Sequence, residues 1–314
     1  MNYSEFTNSI TKKTEKLIGA ESHIYINQVL KNNDTKLDCM VIMGKDRSVA
    51  PSIYINDYYE KHKKGKGIDD IVEEIVSVYY ASRDSFDLDI EMFKSYDKIK
   101  QRIVFKLVSF DKNKELLKRI PYKKYLDLAI VYYILVPDEK GHIATVLIHN
   151  DHLDVWKVKA ETVAAQADLN TPELLRPTLV PIEKVLEKSS YSMKEKKCKP
   201  MGEEDGLYDG FSDCLNGDTK CDSMYVLTNN TGVNGAACLL YKSTLAFLGE
   251  KMKRDFYVLP SSVHEVILIP KTCSINKKDL SIMVKDVNMT EVSDDEVLSN
   301  SVYEYDCITN KISF

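Results

Sequence analysis

The chain has 314 residues, of which 44% are hydrophobic and 29% are charged, and this composition excludes a mostly disordered, collagen-like or low-complexity protein. Lys and Arg total 43 against 48 Asp and Glu, so the net charge of −5 argues against a nucleic-acid binder that is basic over its whole surface. A chain of this length forms one large domain or two smaller ones.

The first third of the chain alternates between helix and strand patterns. Apolar residues recur at helical spacing over residues 4–20 and 69–81, and each stretch is predicted as an amphipathic helix. Between them, residues 23–30 and 37–43 have the alternation of strands and flank the turn-forming triplet Asn32–Asp34. The N-terminal region is therefore expected to combine helices with a β-hairpin.

A second hairpin is predicted in the middle of the chain. Residues 128–136 are the longest apolar run, and residues 143–148 form another apolar stretch after a turn sequence at 138–141. The run has nine residues, whereas a membrane-spanning helix needs about 20, so no membrane association is predicted. A helix is expected to follow, from about residue 150 to 167.

The last third shows the same alternation after an interruption. Residues 187–223 are rich in Lys, Ser, Gly and Asp and are predicted as a linker or a long surface loop. Beyond them, residues 224–227 and 236–241 flank a turn sequence and are predicted as a further hairpin, with a helix over 243–254.

These patterns predict an α+β fold in which antiparallel β-hairpins pack against helices. The expected division is an N-terminal unit at 1–125 and a C-terminal unit at 126–314. Residues 133–153 align with 225–245 without a gap, with five identities in 21 positions, so an internal hairpin–helix repeat is a further hypothesis.

The cysteines and the N-terminus indicate a reducing compartment. The first residues lack the basic and apolar regions of a secretory signal, and the seven cysteines are odd in number, so a cytoplasmic protein with free thiols is expected. No glycine-rich phosphate-binding motif is present, and no cofactor is predicted. Cys198, Cys214 and Cys221 lie in the predicted linker, and a zinc-stabilised module that uses them is one alternative.

A second alternative is a hydrolase-type enzyme. Ser261, Ser262, His264 and Glu265 are close in the sequence, and in a strand Ser262 and His264 would share a face, as a hydroxyl–imidazole pair requires. The sequence lacks the nucleophile-elbow pattern of many serine hydrolases. The competing interpretation is that the two serines form a turn and His264 packs beside it.

The charge distribution favours a non-enzymatic binding module. Residues 94–124 contain eleven Lys or Arg against three acidic residues, a local charge of +8, with aromatic residues between them. Such a segment suits phosphates or an acidic protein surface, although a solvated basic face is the more common case. Lys118, Arg119, Lys123 and Lys124 are the candidate partner-binding residues, and a monomer or homodimer is expected.

Several motifs resemble those of a known family. They are residues 31–34, 50–55, 154–156 and 259–266, together with 283–288 and 298–306. In these motifs the chain is similar to a family from gut clostridia (Firmicutes) that is catalogued as domain of unknown function 5688. The resemblance implies a bacterial, cytosolic accessory protein associated with mobile elements, and it carries over no catalytic residue. If the motifs mark a site, Trp156 and Glu161 join Ser261, Ser262, His264 and Glu265 as positions to test.

Overall fold

The computed structural model describes residues 1–19, 22–44, 52–83, 90–137, 143–189, 223–241, 243–272 and 275–314. The α-helices are α1 Tyr3–Ile18, α2 Asn56–Lys63, α3 Ile68–Arg83, α4 Ile90–Phe93, α5 Tyr96–Ile99, α6 Lys114–Leu117, α7 Asn150–Trp156, α8 Ala160–Leu174, α9 Ile182–Ser189, α10 Thr244–Met252 and α11 Lys277–Thr290. Short 3-10 helices occupy Asn32–Asp34, Lys100–Arg102, Asp111–Asn113 and Gly235–Leu240.

The strands form three antiparallel sheets. They are β1 Ser22–Leu30, β2 Lys36–Gly44, β3 Ser52–Tyr54, β4 Ile103–Ser109, β5 Tyr122–Tyr125, β6 Leu128–Pro137, β7 Ile143–Leu147, β8 Pro177–Pro181, β9 Tyr225–Asn229, β10 Phe256–Leu259, β11 Val266–Pro270, β12 Tyr303–Asp306 and β13 Lys311–Ser313. This architecture confirms the predicted α+β fold of antiparallel strands and helices.

The first sheet has the order β1-β2-β3 and carries its own core. Helices α1 and α3 pack against each other and contribute apolar side chains to this core, because both have an apolar stripe at helical spacing. The fully buried residues at its centre are Phe6, Ile10, Met40, Ile42, Ile71 and Ile75. Helix α3 is the last element that contributes to this core, and the boundary at residue 125 stays a prediction.

The second and third sheets share one large core. In the second sheet β6 is central, with β4 on one side and with β5 and β7 on the other. The third sheet has six strands in the order β13-β12-β10-β11-β9-β8. A single cluster of buried apolar residues runs from Ile99 to Tyr305 and includes residues of both sheets. The predicted boundary at residue 125 falls at the turn of the β5–β6 hairpin, so strands on both sides of it share a sheet.

The hairpin predicted at 128–148 is present, but the one predicted at 224–241 is not. Strand β9 pairs with β8 and β11, and the segment predicted as its partner, residues 236–241, is largely the 3-10 helix Gly235–Leu240. Neighbouring atoms pack closely against Gly235 at the start of this 3-10 helix. A Cβ there would lie 2.1 Å from the Thr228 hydroxyl and 2.5 Å from the His264 carbonyl, so the position requires glycine. The two segments of the proposed repeat therefore differ: the first is a hairpin and the second is a strand followed by a 3-10 helix.

The predicted linker and the predicted zinc site concern residues that lie mostly beyond the described ranges. Most of the predicted linker at 187–223, including Cys198, Cys214 and Cys221, lies outside the described residues, and residues 187–189 end helix α9. Among the described helices, none is long and apolar enough to cross a membrane.

Candidate functional site

The turn Asn32–Asp34 joins the first sheet to the rest of the protein. The Asn33 side-chain amide donates to the carbonyl oxygens of Asp294 and Val297, each at 2.7 Å. Asn33 and Asn113 also exchange two hydrogen bonds, of 2.7 and 2.9 Å. Asn33 has a φ of 59° and Asp34 a φ of 50°, in the left-handed region that Asn and Asp tolerate better than most residues. The turn thus contacts two segments that are distant in sequence.

Asp34 also fixes the helix that opens the basic part of the chain. Its two carboxylate oxygens accept the backbone N–H groups of Glu115 at 2.9 Å and Leu116 at 3.0 Å, at the start of α6. These N–H groups have no partner within the helix, so the carboxylate caps it. The turn of the first unit therefore positions residues 111–117.

That part of the chain carries an exposed basic surface. All of its basic side chains are exposed. We call these residues the basic surface: Lys112, Lys114, Lys118, Arg119, Lys123 and Lys124. Lys114 pairs with Asp111 at 3.3 Å and Lys118 with Glu115 at 2.6 Å, each across one helical turn. Among the described residues, no carboxylate forms an ion pair with the remaining four basic side chains, which are Lys112, Arg119, Lys123 and Lys124. Because two carboxylates face six cations, the surface keeps a net positive charge.

Aromatic rings lie within the basic surface. The Lys124 ammonium lies 4.3 Å from the centroid of the Phe110 ring, and the Phe110 and Tyr122 rings are 6.1 Å apart. The Tyr122 side chain is 43% exposed, although it is a large aromatic. Strand β5, which carries Tyr122, Lys123 and Lys124, pairs only with β6 among the described strands. Cations and an accessible ring are thus presented together at a sheet edge.

The predicted basic region 94–124 divides into two parts. Strand β4 lies between them, and its seven residues span about 20 Å. At its other end Lys94 pairs with Glu91 and Lys100 with Asp97, and an Asn170 amide binds the Lys100 carbonyl. The candidate residues Lys118, Arg119, Lys123 and Lys124 all lie in the second part.

The structure brings together Ser262, His264 and Glu265. The Ser262 hydroxyl oxygen accepts the backbone N–H of His264 at 3.0 Å. The His264 ring binds elsewhere: Nε2 lies 3.2 Å from a carboxylate oxygen of Glu296, and Nδ1 accepts the backbone N–H of Asn234 at 3.3 Å. Glu296 is the partner that sequence reasoning missed, because it is 32 residues further along the chain. Ser261 contributes its carbonyl, which accepts the Leu298 N–H.

Glu265 is the third member of this group. Burial raises the pKa of its carboxyl, and nearby Glu296 acts in the same direction, whereas His264 and a hydrogen bond from the Ser262 hydroxyl lower it. The imidazole of His264 is directed to Glu296 and not to the Ser262 hydroxyl. For His264 to act as a base on Ser262, its imidazole would have to leave the partners that it now binds. Catalysis by this group stays a prediction.

Trp156 is buried where two helices meet, whereas Glu161 is exposed at the start of a helix. The Trp156 indole N–H donates to the Phe93 carbonyl at 2.6 Å and so attaches α7 to α4. The His152 ring stacks on Trp156 with centroids 5.3 Å apart, and its Nδ1 accepts the His149 N–H at 3.0 Å. Burial lowers the pKa of both imidazoles. Glu161 is exposed in the first turn of α8, where the helix dipole favours an acid.

Lys106 is a residue that the sequence analysis did not single out. It is the only charged residue in β4, whose other residues are buried, and it lies on the face of Val104 and Val108. Its ammonium is 5.9 Å from the centroid of the Tyr133 ring. Burial, and to a lesser extent the charge of Lys31, lower the pKa of Lys106 to about 8. A lone lysine inside an apolar strand was the signal that could have identified it.

Metal binding has no support from the described residues, in which no group of three or more His, Cys, Asp or Glu could hold an ion. The three cysteines of the zinc hypothesis lie outside those ranges, so that hypothesis stays a prediction.

Residues 3–307 match the model of a family described as a family of unknown function (DUF5688). The chain belongs to that family. The match covers nearly the whole chain and confirms the resemblance of the sequence motifs. Neither a curated protein nor a solved structure matches the chain. The bacterial source, the cytoplasmic location and the association with mobile elements stay predictions.

Proposed function

We propose that the protein is a binding module that holds single-stranded nucleic acid on the basic surface. The observation that carries this proposal is the combination of six exposed cations, two carboxylates and the exposed ring of Tyr122. Lysine and arginine neutralise phosphates, and aromatic rings stack on unpaired bases. The net charge of −5 for the whole chain does not oppose this, because the positive charge is local.

The test is binding of a fluorescent oligothymidylate, followed by anisotropy at several salt concentrations. In the test variant Lys118, Arg119, Lys123 and Lys124 are all changed to Gln. If each of the four contacts a phosphate, the variant binds more weakly and its log–log salt dependence is shallower by about 3. The control variant changes Lys12, Lys64, Lys278 and Lys285 to Gln, which removes the same charge from exposed sites elsewhere.

The proposal predicts that the control variant binds as the unmodified protein does. Equal weakening in both variants would show that only overall charge matters, and would contradict a specific surface. An acidic peptide is the competing partner. If polyglutamate binds to the surface and the oligonucleotide does not, the partner is an acidic protein and the nucleic-acid proposal is wrong.

The hydrolase is a second candidate, because Ser262, His264, Glu265 and Glu296 do lie together. A fluorophosphonate probe should then label Ser262, and His264→Ala should abolish the labelling. Absence of labelling on folded protein would remove this candidate.

A further inference from the structure

Lys31 and Lys106 lie close together where the first sheet meets the second. Leu30, next to Lys31 at the end of β1, packs against the cluster that contains Val131. Val131 is the cross-strand partner of Lys106 in the β4–β6 ladder. The turn that follows Lys31 also packs against β4. Two lysines that are far apart in sequence therefore share this junction.

The charge of these two lysines is not balanced. Among the described residues, no carboxylate lies within ion-pair distance of either ammonium group. The other charged group that acts on Lys106 is Lys31, which repels it. Both side chains are partly buried, and removing water from a cation without supplying a counter-ion has a cost, so such an arrangement is unusual in a structure that serves stability alone.

Aromatic rings hold both ammonium groups. The Lys31 ammonium lies 4.3 Å from the Tyr54 ring centroid, and the Lys106 ammonium lies over Tyr133. A cation–π contact occupies one side of an ammonium group and leaves its N–H donors available. Tyr133 is itself fixed by packing, since it is only 3% exposed. The two donors are thus held in place without an acceptor.

We propose that Lys31 and Lys106 form a binding site for a phosphoryl group, at the junction of the first and second sheets. Two ammonium groups supply the hydrogen bonds and the charge that a phosphate dianion requires. The bound anion would replace the missing counter-ion and would join the two units through residues on both sides. This site is separate from the basic surface, and it stands whether or not that surface binds nucleic acid.

The test is titration with sodium pyrophosphate, followed by calorimetry and by the thermal unfolding midpoint, against sodium chloride at equal ionic strength. The unmodified protein should bind pyrophosphate and unfold at a higher temperature in its presence. Lys106→Met should lose affinity by about tenfold or more, because it removes one of the two ammonium groups and its charge-assisted hydrogen bonds to the anion. The matched control is Lys112→Met, an exposed lysine of the same segment, which should bind normally.

A second variant, Lys31→Gln, keeps the test decisive if Lys106→Met does not fold. A 5′-phosphorylated oligonucleotide and its unphosphorylated form distinguish a free phosphate ligand from a nucleic-acid end. Stronger binding of the phosphorylated form supports a terminal phosphate as the source. The proposal is overturned if pyrophosphate has no effect beyond that of chloride, if both lysine variants bind as the control does, or if acetate binds as tightly as pyrophosphate.

Discussion

Lys106 illustrates how a single side chain can oppose the stability of the strand that carries it. Burial lowers its pKa from 10.5 to about 8, so the unfolded chain holds the proton more tightly than the folded chain does. The resulting penalty is fully present below about pH 8 and disappears as the pH rises through 10.5.

Lys106→Met should therefore be more stable than the unmodified protein at pH 7 in a buffer without phosphate. The advantage should shrink as the pH is raised from 8 to 10.5, because the native lysine then loses its charge. Urea unfolding at pH 7 and pH 10 measures both differences, with Lys112→Met as the control for an exposed lysine. An advantage that is the same at both pH values would contradict the burial of a charged amine.

At this scale the sequence predicted part of the candidate site. It placed Ser262, His264 and Glu265 together, because they are neighbours in the chain. It could not identify Glu296 as the partner of His264, since that contact depends on how the 294–297 loop folds back onto residues 261–263. Lys106 was visible as a charge in an apolar strand, but its lack of a counter-ion became apparent only in three dimensions.

At the scale of elements, Asp34 couples one turn to one helix. Asp34→Ala removes both acceptors at the start of α6 and should destabilise the protein by about 1 kcal/mol or more. Asp34→Asn keeps one acceptor and tolerates the left-handed conformation, so it should be less harmful. Urea unfolding of the two variants measures this order. Equal stability of Asp34→Ala and the unmodified protein would show that the cap contributes nothing.

Asp127 attaches the start of β6 to the start of β12 and to the segment that precedes β12. Its carboxylate accepts hydrogen bonds from the hydroxyls of Ser299 at 2.6 Å, Ser301 at 2.9 Å and Tyr303. The pKa of Tyr303 is raised by burial and by this carboxylate, so its hydroxyl stays a donor. Three hydroxyls of the 298–306 segment thus have a structural role, because they bind this carboxylate.

Asp127→Ala should cost about 3 kcal/mol of unfolding free energy, because it leaves buried hydroxyls without an acceptor. A double-mutant cycle with Tyr303→Phe should show coupling between the two sites, since they share one hydrogen bond. Asp111→Ala, at an exposed aspartate, is the control and should be nearly neutral. Additive effects of Asp127→Ala and Tyr303→Phe would contradict this account.

The sequence predicted elements well where apolar periodicity was long. Strand β6 was correct to within one residue, because a run of nine apolar residues has few alternatives. Residues 236–241 were predicted as a strand but are mainly a 3-10 helix. Apolar residues at those positions suit either a strand or a 3-10 helix. The close packing around Gly235 favours the 3-10 helix, and a sequence pattern does not show that packing.

At the scale of the whole molecule, long-range contacts set the arrangement of the sheets. The Asn33 amide binds carbonyls that are more than 260 residues away, and β12 pairs on one side with its neighbour β13 and on the other with the sequence-distant β10. Such pairings depend on the full set of buried surfaces and not on local periodicity. This is why the α+β class was predictable from the sequence but the sheet order was not.

The basic surface also belongs to this scale, because Asp34 of the first unit holds the helix on which it is built. Its proposed role in binding single-stranded nucleic acid is the central claim about function. Photo-crosslinking to single-stranded DNA that contains 5-iododeoxyuridine, with the attached peptides identified by mass spectrometry, tests that claim most directly. Stacking on the exposed ring predicts crosslinks at Tyr122, or at Phe110 beside it. Crosslinks found only outside residues 110–125 would contradict the proposal.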